Sequence, residues 1–424
     1  MTPNRDQRPL PPLPAGMRDW LPEEARTVGE LARRVLACFE LYGYQRVTLP
    51  VFEYADVFER GLGALDASEV LRFVEPESGE LVAIRPDMTP QVARLVTSRL
   101  RDAPLPARLC YEGSVVRLRR ERARRRRQVP QAGIELVGAP ARAGDLEMLG
   151  VAVDAVRAAG LADFVLDLGH ARVAGSLVEA ADPEHRLGLV EALSLRDRAG
   201  VAGAASRAGL AQGMRAALVA LLDHDGSSEV APEVRRALDA TPAAEALEQL
   251  DALALEVLRG GLAARLFLNL GEVRHLAYYT GVQFQILAEG PGEAVASGGR
   301  YDGLFAKFGA ARPAAGFAVD LDNLAWAVGG QAPAEQTRVL LDGGEPTELL
   351  ALATRLRARG RAVVIGGDEG YARAWGFSHR VQLGAAWVVC VLASGQQQEL
   401  TGSTEERVEG LDRLVAGGVE EQSA

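Results

Sequence analysis

Arg85-Pro-Asp-Met-Thr-Pro-Gln-Val-Ala-Arg94, Tyr111-Glu-Gly-Ser-Val-Val-Arg117 and Gln131-Ala-Gly-Ile-Glu135-Leu-Val-Gly138 lie in one stretch, Ile84 to Gly138, whose reading decides the fold. Two runs of β character, Arg108 to Arg117 and Gln128 to Val137, flank a charged turn, the pattern of a long hairpin. Side chains alternate between the faces of a strand, so Gln131 and Glu135, an even number of residues apart, project from one side. An amide and a carboxylate projecting together can hold an ammonium or an imidazole group. The alternative is a polar pair on a solvated sheet face. Between the runs, residues 117–127 hold eight arginines against one acid, Glu121. Such density marks a self-repelling solvated loop, a site for phosphates, or a surface for an acidic partner.

Working outward, a chain of 424 residues is long enough for two or three domains with a sizeable core. Its apolar fraction of 48% and charged fraction of 25% are those of an ordinary soluble protein. A net charge of −10 gives no general reason to expect a nucleic-acid binder. Cys38, Cys110 and Cys390 are far apart in apolar surroundings, which reads as buried free thiols. The histidines form no ligand pair, so no metal and no cofactor is expected. No apolar run reaches the length of a membrane span, and the polar N-terminus is not a secretory signal. A reduced, cytoplasmic setting follows as the expectation.

Along the chain, residues 1–15 are proline-rich and expected to be flexible. Glu23 to Tyr42 has helical spacing, with Val28, Leu31, Val35, Cys38 and Phe39 on one stripe and Gly43 as its stop. Tyr44 to Pro50 reads as a strand closed by proline, Leu71 to Val74 and Leu81 to Ile84 as short strands, and Thr89 to Arg101 as a helix. Residues 172–262 form a helical insertion. Within it, Asp223-His-Asp-Gly226 marks a turn, and His224 beside two aspartates reads as exposed turn chemistry in preference to a metal site. A linker at 331–336 leads to a small α/β domain, residues 337–424. Its nine arginines against twelve acids argue against RNA as a principal partner.

These motifs resemble the histidyl-tRNA synthetase family of class II synthetases. Gly16-Met-Arg-Asp-Trp-Leu-Pro22 resembles the family's entry peptide, and the helix, strand and Pro50 resemble its motif 1. Arg117 to Glu135 aligns with motif 2 without gaps. Arg274, Tyr278, Tyr279, Thr280 and Gly281 match a signature of histidine-binding members, and Ser297-Gly-Gly-Arg300-Tyr-Asp-Gly-Leu304 matches a further one. The resemblance implies an α+β fold: a class II synthetase-like antiparallel sheet with flanking helices in 16–171 and 263–330, plus the helical insertion. The C-terminal α/β domain resembles an anticodon-binding domain. It also implies a histidine site built from Asp87, Thr89, Arg117, Gln131, Glu135, Arg274, Tyr278 and Tyr279. Gly298, Gly299 and Arg300 would support it, the paired glycines permitting close backbone approach to a ligand. Arg120, Arg125 and Arg127 fall on family arginines and are candidate phosphate or partner contacts. Motif 1 implies a homodimer through the region of Tyr44 to Glu53.

Departures from the family pattern are as informative. Arg119 stands in place of the motif-2 glutamate, and Arg122 and Arg124 replace a glutamine and a glycine. Asn323 stands where the motif-3 arginine grips ATP phosphates, and a neutral amide supplies neither that charge nor the paired fork. Asp320 replaces a glycine and is expected to add negative charge there. Asp87 is one methylene shorter than the usual glutamate. No catalytic residue is therefore expected. Histidine motifs kept while ATP motifs are lost resemble the regulatory subunits of ATP phosphoribosyltransferase, which serve histidine biosynthesis. That family implies a non-catalytic chain, a short-form catalytic subunit as partner, histidine as effector, and a homodimer within a hetero-oligomer, without tRNA. Two readings stand beside it: a divergent histidyl-tRNA synthetase, favoured by the intact C-terminal domain, and a stand-alone amino-acid sensor.

Overall fold

The computed structural model describes residues 13–62, 69–118, 126–273, 279–329 and 337–417, which fall into two units, Met1–Gln331 and Ala332–Ala424. Strands of the first unit are β1 (Gln45–Arg46), β2 (Phe52–Tyr54), β3 (Arg72–Val74), β4 (Leu81–Ile84), β5 (Ala107–Val116), β6 (Gln128–Val137), β7 (Val165–His170), β8 (Leu266–Asn269), β9 (Val282–Leu287), β10 (Ala296–Arg300) and β11 (Ala314–Asp320). They build an eight-stranded sheet ordered β1-β5-β6-β11-β10-β9-β7-β8 and a small sheet ordered β2-β4-β3. The large sheet is antiparallel except at its two edges, where β1 runs parallel to β5 and β8 to β7.

Register and side-chain alternation give this sheet two chemically different faces. Ala132, Ile134 and Leu136 of β6 share a face with Phe317, Phe284, Ile286, Leu166 and Leu168, and these form the main apolar core. Helix Pro22–Leu41 lies on that face with Leu31, Val35, Cys38 and Phe39 buried. Phe39 meets Phe317 edge-on at 5.7 Å. Gly43, at a φ of +82°, ends the helix as its position requires. The opposite face carries a lane of small and polar residues in continuous register: Glu135, Gly316, Gly299, Gln283, Gly169 and Asn269.

Two sequence expectations need correction. The strand read over Tyr44 to Pro50 is only Gln45–Arg46. Val47 N still donates to Cys110 O at 2.8 Å, but the Leu49 and Pro50 carbonyls then turn to accept from Arg85 and Gln91 side chains, so the ladder stops. The turn at Asp223 to Gly226 is not exposed throughout: His224 is 4% exposed. Gly226 O accepts from Leu268 N at 3.3 Å, which draws the turn onto the edge of β8. Around it the insertion between β7 and β8 is helical, from Ala171–Glu179 to Ala244–Arg259.

In the second unit β12 (Arg338–Asp342), β13 (Ala362–Ile365), β14 (His379–Gln382), β15 (Trp387–Val391) and β16 (Gln397–Leu400) form a sheet ordered β13-β12-β14-β15-β16. Helices Pro346–Ala358 and Thr404–Gly417 bury Leu352, Leu356, Val408 and Leu411 with Trp387. Among the described residues, no helix is long and apolar enough to cross a membrane.

Candidate functional site

Glu135 stands at the β6 end of the polar lane. Only 1% exposed, its Oε1 accepts from the Thr89 hydroxyl at 2.7 Å and from the Tyr111 hydroxyl at 3.2 Å. Among the described residues its Oε2 has no hydrogen-bond partner. Burial, reinforced by the nearby Asp87 carboxylate, pushes the Glu135 carboxyl well above the ordinary range, against the bonds from Thr89 and Tyr111. Burial likewise pushes the Tyr111 phenol up. A neutral acid held this way ionises when a cation arrives to pair with it. Tyr111 was missed in the sequence. The signal lay in the hairpin register, which sets Tyr111 opposite Gly133. A Cβ at Gly133 would lie 2.7 Å from the tyrosine oxygen.

Residues 85–91 position this site and carry a second duty. Asp87 Oδ1 accepts from Thr89 N at 3.0 Å and so sets the turn that starts helix Thr89–Ser98. Arg117 Nε donates to Pro86 O at 2.6 Å, with its NH2 3.7 Å from Asp87 Oδ2. Alternating with these, Arg85 donates to Ser114 O at 2.7 Å and Leu49 O at 2.9 Å, and Gln91 Nε2 donates to Pro50 O at 3.0 Å. Gly113 makes room for Arg85: a Cβ there would lie 2.3 Å from the guanidinium. One segment thus holds both the buried acid cluster and the chain entering β2.

The glycines of the lane serve the same close packing. A Cβ at Gly316 would lie 2.4 Å from Glu135 Oε2 and 2.5 Å from the Tyr301 hydroxyl oxygen. At Gly299 it would strike the Tyr279 ring at 2.8 Å, and on the core face a Cβ at Gly298 would lie 2.3 Å from Phe317 Cβ. What approaches these glycines is neighbouring chain. Tyr279 lies against the lane, its ring centroid 6.4 Å from that of Tyr301. Arg300 projects to the opposite, core side. There it donates to Asp145 Oδ1 at 2.7 Å and Ala141 O at 3.0 Å, joining helix Ala141–Ala158 to the sheet. Gln131 shares the face of Glu135, in register with Asp320. Arg274 and Tyr278 lie outside the described residues, as do Arg119, Arg120 and Arg125.

Asn323 and Asp320, the departures noted in the sequence, are committed to this chain's own packing. Asn323 is buried, and its Nδ2 donates to Ala294 O at 3.0 Å. Asp320 caps helix Leu321–Ala327, its Oδ1 accepting from Asp322 N and Asn323 N, both at 3.0 Å. Its charge is therefore spent on a helix N-terminus. Asp322 is paired with Arg18 at 2.9 Å and with Arg126. Of the arginine-rich loop, Arg127 uses its backbone, with N donating to Gly16 O at 2.9 Å and O accepting from Arg117 N at 2.8 Å. Among the described residues no cluster of three or more metal-binding side chains occurs.

The histidyl-tRNA synthetase family matches residues 16–324. An ATP phosphoribosyltransferase regulatory subunit from Anaeromyxobacter sp. (strain Fw109-5) is 46% identical over 312 residues, covering 73% of this chain and 91% of that protein. One from Moorella thermoacetica is 39% identical, covering 84% of this chain and 92% of its own. A Bacillus halodurans crystal structure described as an ATP phosphoribosyltransferase regulatory subunit/histidyl-tRNA synthetase superposes with a TM-score of 0.75 at 29% identity, covering 87% of this chain and 96% of that one. Histidyl-tRNA synthetase from Nostoc sp. PCC 7120 shares the fold at a TM-score of 0.74 and 20% identity, covering 95% of this chain and 98% of its own.

Proposed function

The chain belongs to the ATP phosphoribosyltransferase regulatory subunits, a histidyl-tRNA synthetase-like family, and from that premise we propose that it activates a short-form catalytic subunit and transmits histidine feedback to it. The observation that supports this reading is a buried acid cluster on the sheet beside motif positions that are taken up by packing. Glu135, Thr89 and Tyr111 form a buried acid cluster, while Asn323 and Asp320 are absorbed into helix capping and packing. In the proposed mode, Glu135 and Asp87 attract the ammonium or imidazole of histidine. Arg274 or Arg117 meets its carboxylate, Gln131 adds an amide, and Tyr278 and Tyr279 flank the ring. Histidine then biases the assembly by favouring one arrangement, with a coupling of about 1–3 kcal/mol.

The same reading includes a homodimer, and the small sheet supports where it forms. Register places Phe52, Tyr54 and Phe73 on one face, with Phe52 and Phe73 edge-on at 5.6 Å. They are 47%, 53% and 39% exposed, a contiguous apolar patch of the kind that marks an interface. A cytoplasmic setting belongs to the proposal as well.

Reconstitution tests it. Mixing the purified chain with a short-form catalytic subunit should raise phosphoribosyl transfer to ATP and make it sensitive to histidine. Histidine-dependent pyrophosphate–ATP exchange by the chain alone would replace this reading with a synthetase.

A further inference from the structure

Two signatures that stand apart in the sequence, one ending in Tyr279-Thr280-Gly281 and the other running from Ser297 to Leu304, are joined in the structure. Strand β10 carries the start of the second, and its side chains divide between the two faces of the sheet. Gly299 lies in the polar lane against the Tyr279 ring, where a Cβ would stand 2.8 Å from that ring. Arg300, the next residue, points to the core side and is 3% exposed. Neighbouring residues of one strand thus act on the same segment from opposite faces.

From the core side Arg300 reaches that segment through Asp302. Its NH1 donates to Asp302 Oδ1 at 2.9 Å, and the same oxygen accepts from Ala314 N at 3.0 Å. With its carboxylate held from two sides, Asp302 donates its own N–H to the Thr280 hydroxyl oxygen at 2.9 Å. Thr280 N donates to Arg300 O at 2.8 Å, which closes the circuit on the residue where it began. The guanidinium is anchored at its other end by Asp145 Oδ1 at 2.7 Å and Ala141 O at 3.0 Å. Gly281 leaves space for the arginine stem: a Cβ there would lie 3.0 Å from Arg300 Cδ. Thr280 itself is exposed. A threonine tied at both its N–H and its hydroxyl while facing solvent adds little to the core; what the two ties fix is the backbone beside Tyr279.

We propose that Arg300, Asp302 and Thr280 are positioning residues that hold Tyr279 in place at the Glu135 pocket, with Arg300 acting from the opposite side of the sheet. The inference rests on the reading of that pocket as a histidine site. Gly299 and Glu135 are two strand spacings apart through Gly316, about 10 Å at ~4.8 Å per strand, a gap that one amino acid can bridge. Tyr279 with its backbone preset keeps only the rotation of its own side chain, so less freedom is lost when a ligand comes to lie between the ring and the acid. Affinity then depends on a hydrogen-bond circuit whose guanidinium lies on the face away from the ligand.

The test sets Thr280→Val, which keeps the branched shape and loses the acceptor, against Thr280→Ser, which keeps the hydroxyl and loses the methyl. Both are made in the full chain containing 3-fluorotyrosine, with the Tyr279 fluorine signal assigned by its loss in Tyr279→Phe. Without ligand, that signal should move in Thr280→Val and keep its parental position in Thr280→Ser. In calorimetric titration with L-histidine, the valine variant should bind roughly tenfold more weakly, the worth of one hydrogen bond. The serine variant should bind like the parent. Should Thr280→Val fail to fold, Thr280→Ala removes the same oxygen and is held to the same outcome. An unmoved Tyr279 signal in the valine variant, parental histidine binding by it, or equal losses in the valine and serine variants would reduce the ties to packing and overturn the proposal. A parent that binds no histidine, with the Tyr279 signal still moving as expected, would refute the reading of the pocket and not the positioning.

Discussion

Replacing Glu135 by Gln separates the roles of this buried acid. A glutamine oxygen can accept from Thr89 and Tyr111 as Glu135 Oε1 does, at 2.7 and 3.2 Å. The neutral amide also matches the protonated acid that burial favours. Folding should therefore survive. Histidine binding should not, because the amide cannot become the counter-charge of an ammonium or imidazolium. Losing a buried charge-assisted contact costs about 2–5 kcal/mol, which is roughly thirtyfold to several thousandfold in Kd. Proton linkage adds a second readout. If Glu135 is neutral before histidine arrives and ionised afterwards, binding by the parent releases a proton, and calorimetry in buffers of different ionisation enthalpy detects it. The variant should release none from this group. Stability supplies the third. An acid whose pKa is raised in the folded state contributes stability fully present below its unfolded value near 4.5, and that stability is lost as pH rises toward the folded value. Glu135→Gln should remove that loss and flatten the stability curve above pH 4.5. Histidine binding by the variant within threefold of the parent, with no change in proton release, would refute the reasoning.

Gly316→Ala should abolish histidine binding and cost about 1–3 kcal/mol in denaturant unfolding, since its Cβ would lie 2.4 Å from Glu135 Oε2 and from Ile134 O. Asn323→Arg should not restore pyrophosphate exchange. It should lower thermal stability by about 1–3 kcal/mol, because the buried amide that donates to Ala294 O is lost. Phe73→Asp should shift sedimentation from dimer to monomer with little effect on melting, as Phe73 is 39% exposed on the outer face of the small sheet. Burial lowers His170 to about 4, so its depressed pKa gives stability that is present above the unfolded value of about 6.5 and lost as pH falls toward about 4. His170→Asn keeps a cap for helix Ala171–Glu179 and should flatten that acid limb, measured by melting between those pH values.

The sequence made the long hairpin legible because its two runs alternate over their whole length around one charged turn, and β5 and β6 lie within a residue of the expected spans. Parity alone put Gln131 and Glu135 on one face. Tertiary demands decided the rest. Nothing local to Tyr44–Pro50 says that two of its carbonyls will be taken by side chains more than thirty residues away. Asp-His-Asp-Gly looks like solvent chemistry until the edge of β8 claims Gly226 O. Among many neighbouring arginines, pairing of Arg126 with Asp322 is set by the path of the hairpin and not by composition. Arg300 belongs to a signature that the resemblance links to ligand support, and strand parity turns its side chain to Asp145 on the core side.

Residues 85–91 leave evolution little room to treat pocket and outer sheet as separate traits. Asp87 and Thr89 face the acid cluster while Arg85 and Gln91, on either side, fasten the chain entering β2. A change that moves Asp87 to suit another ligand drags the bonds to Leu49 and Pro50 with it, and a change that remodels the outer sheet disturbs Thr89. Drift at one is charged to the other. In a lineage that no longer needs the ligand, the alternation should persist at Arg85 and Gln91 and decay at Asp87 and Thr89. Comparison of diverging descendants would thus show which of the two duties selection still enforces.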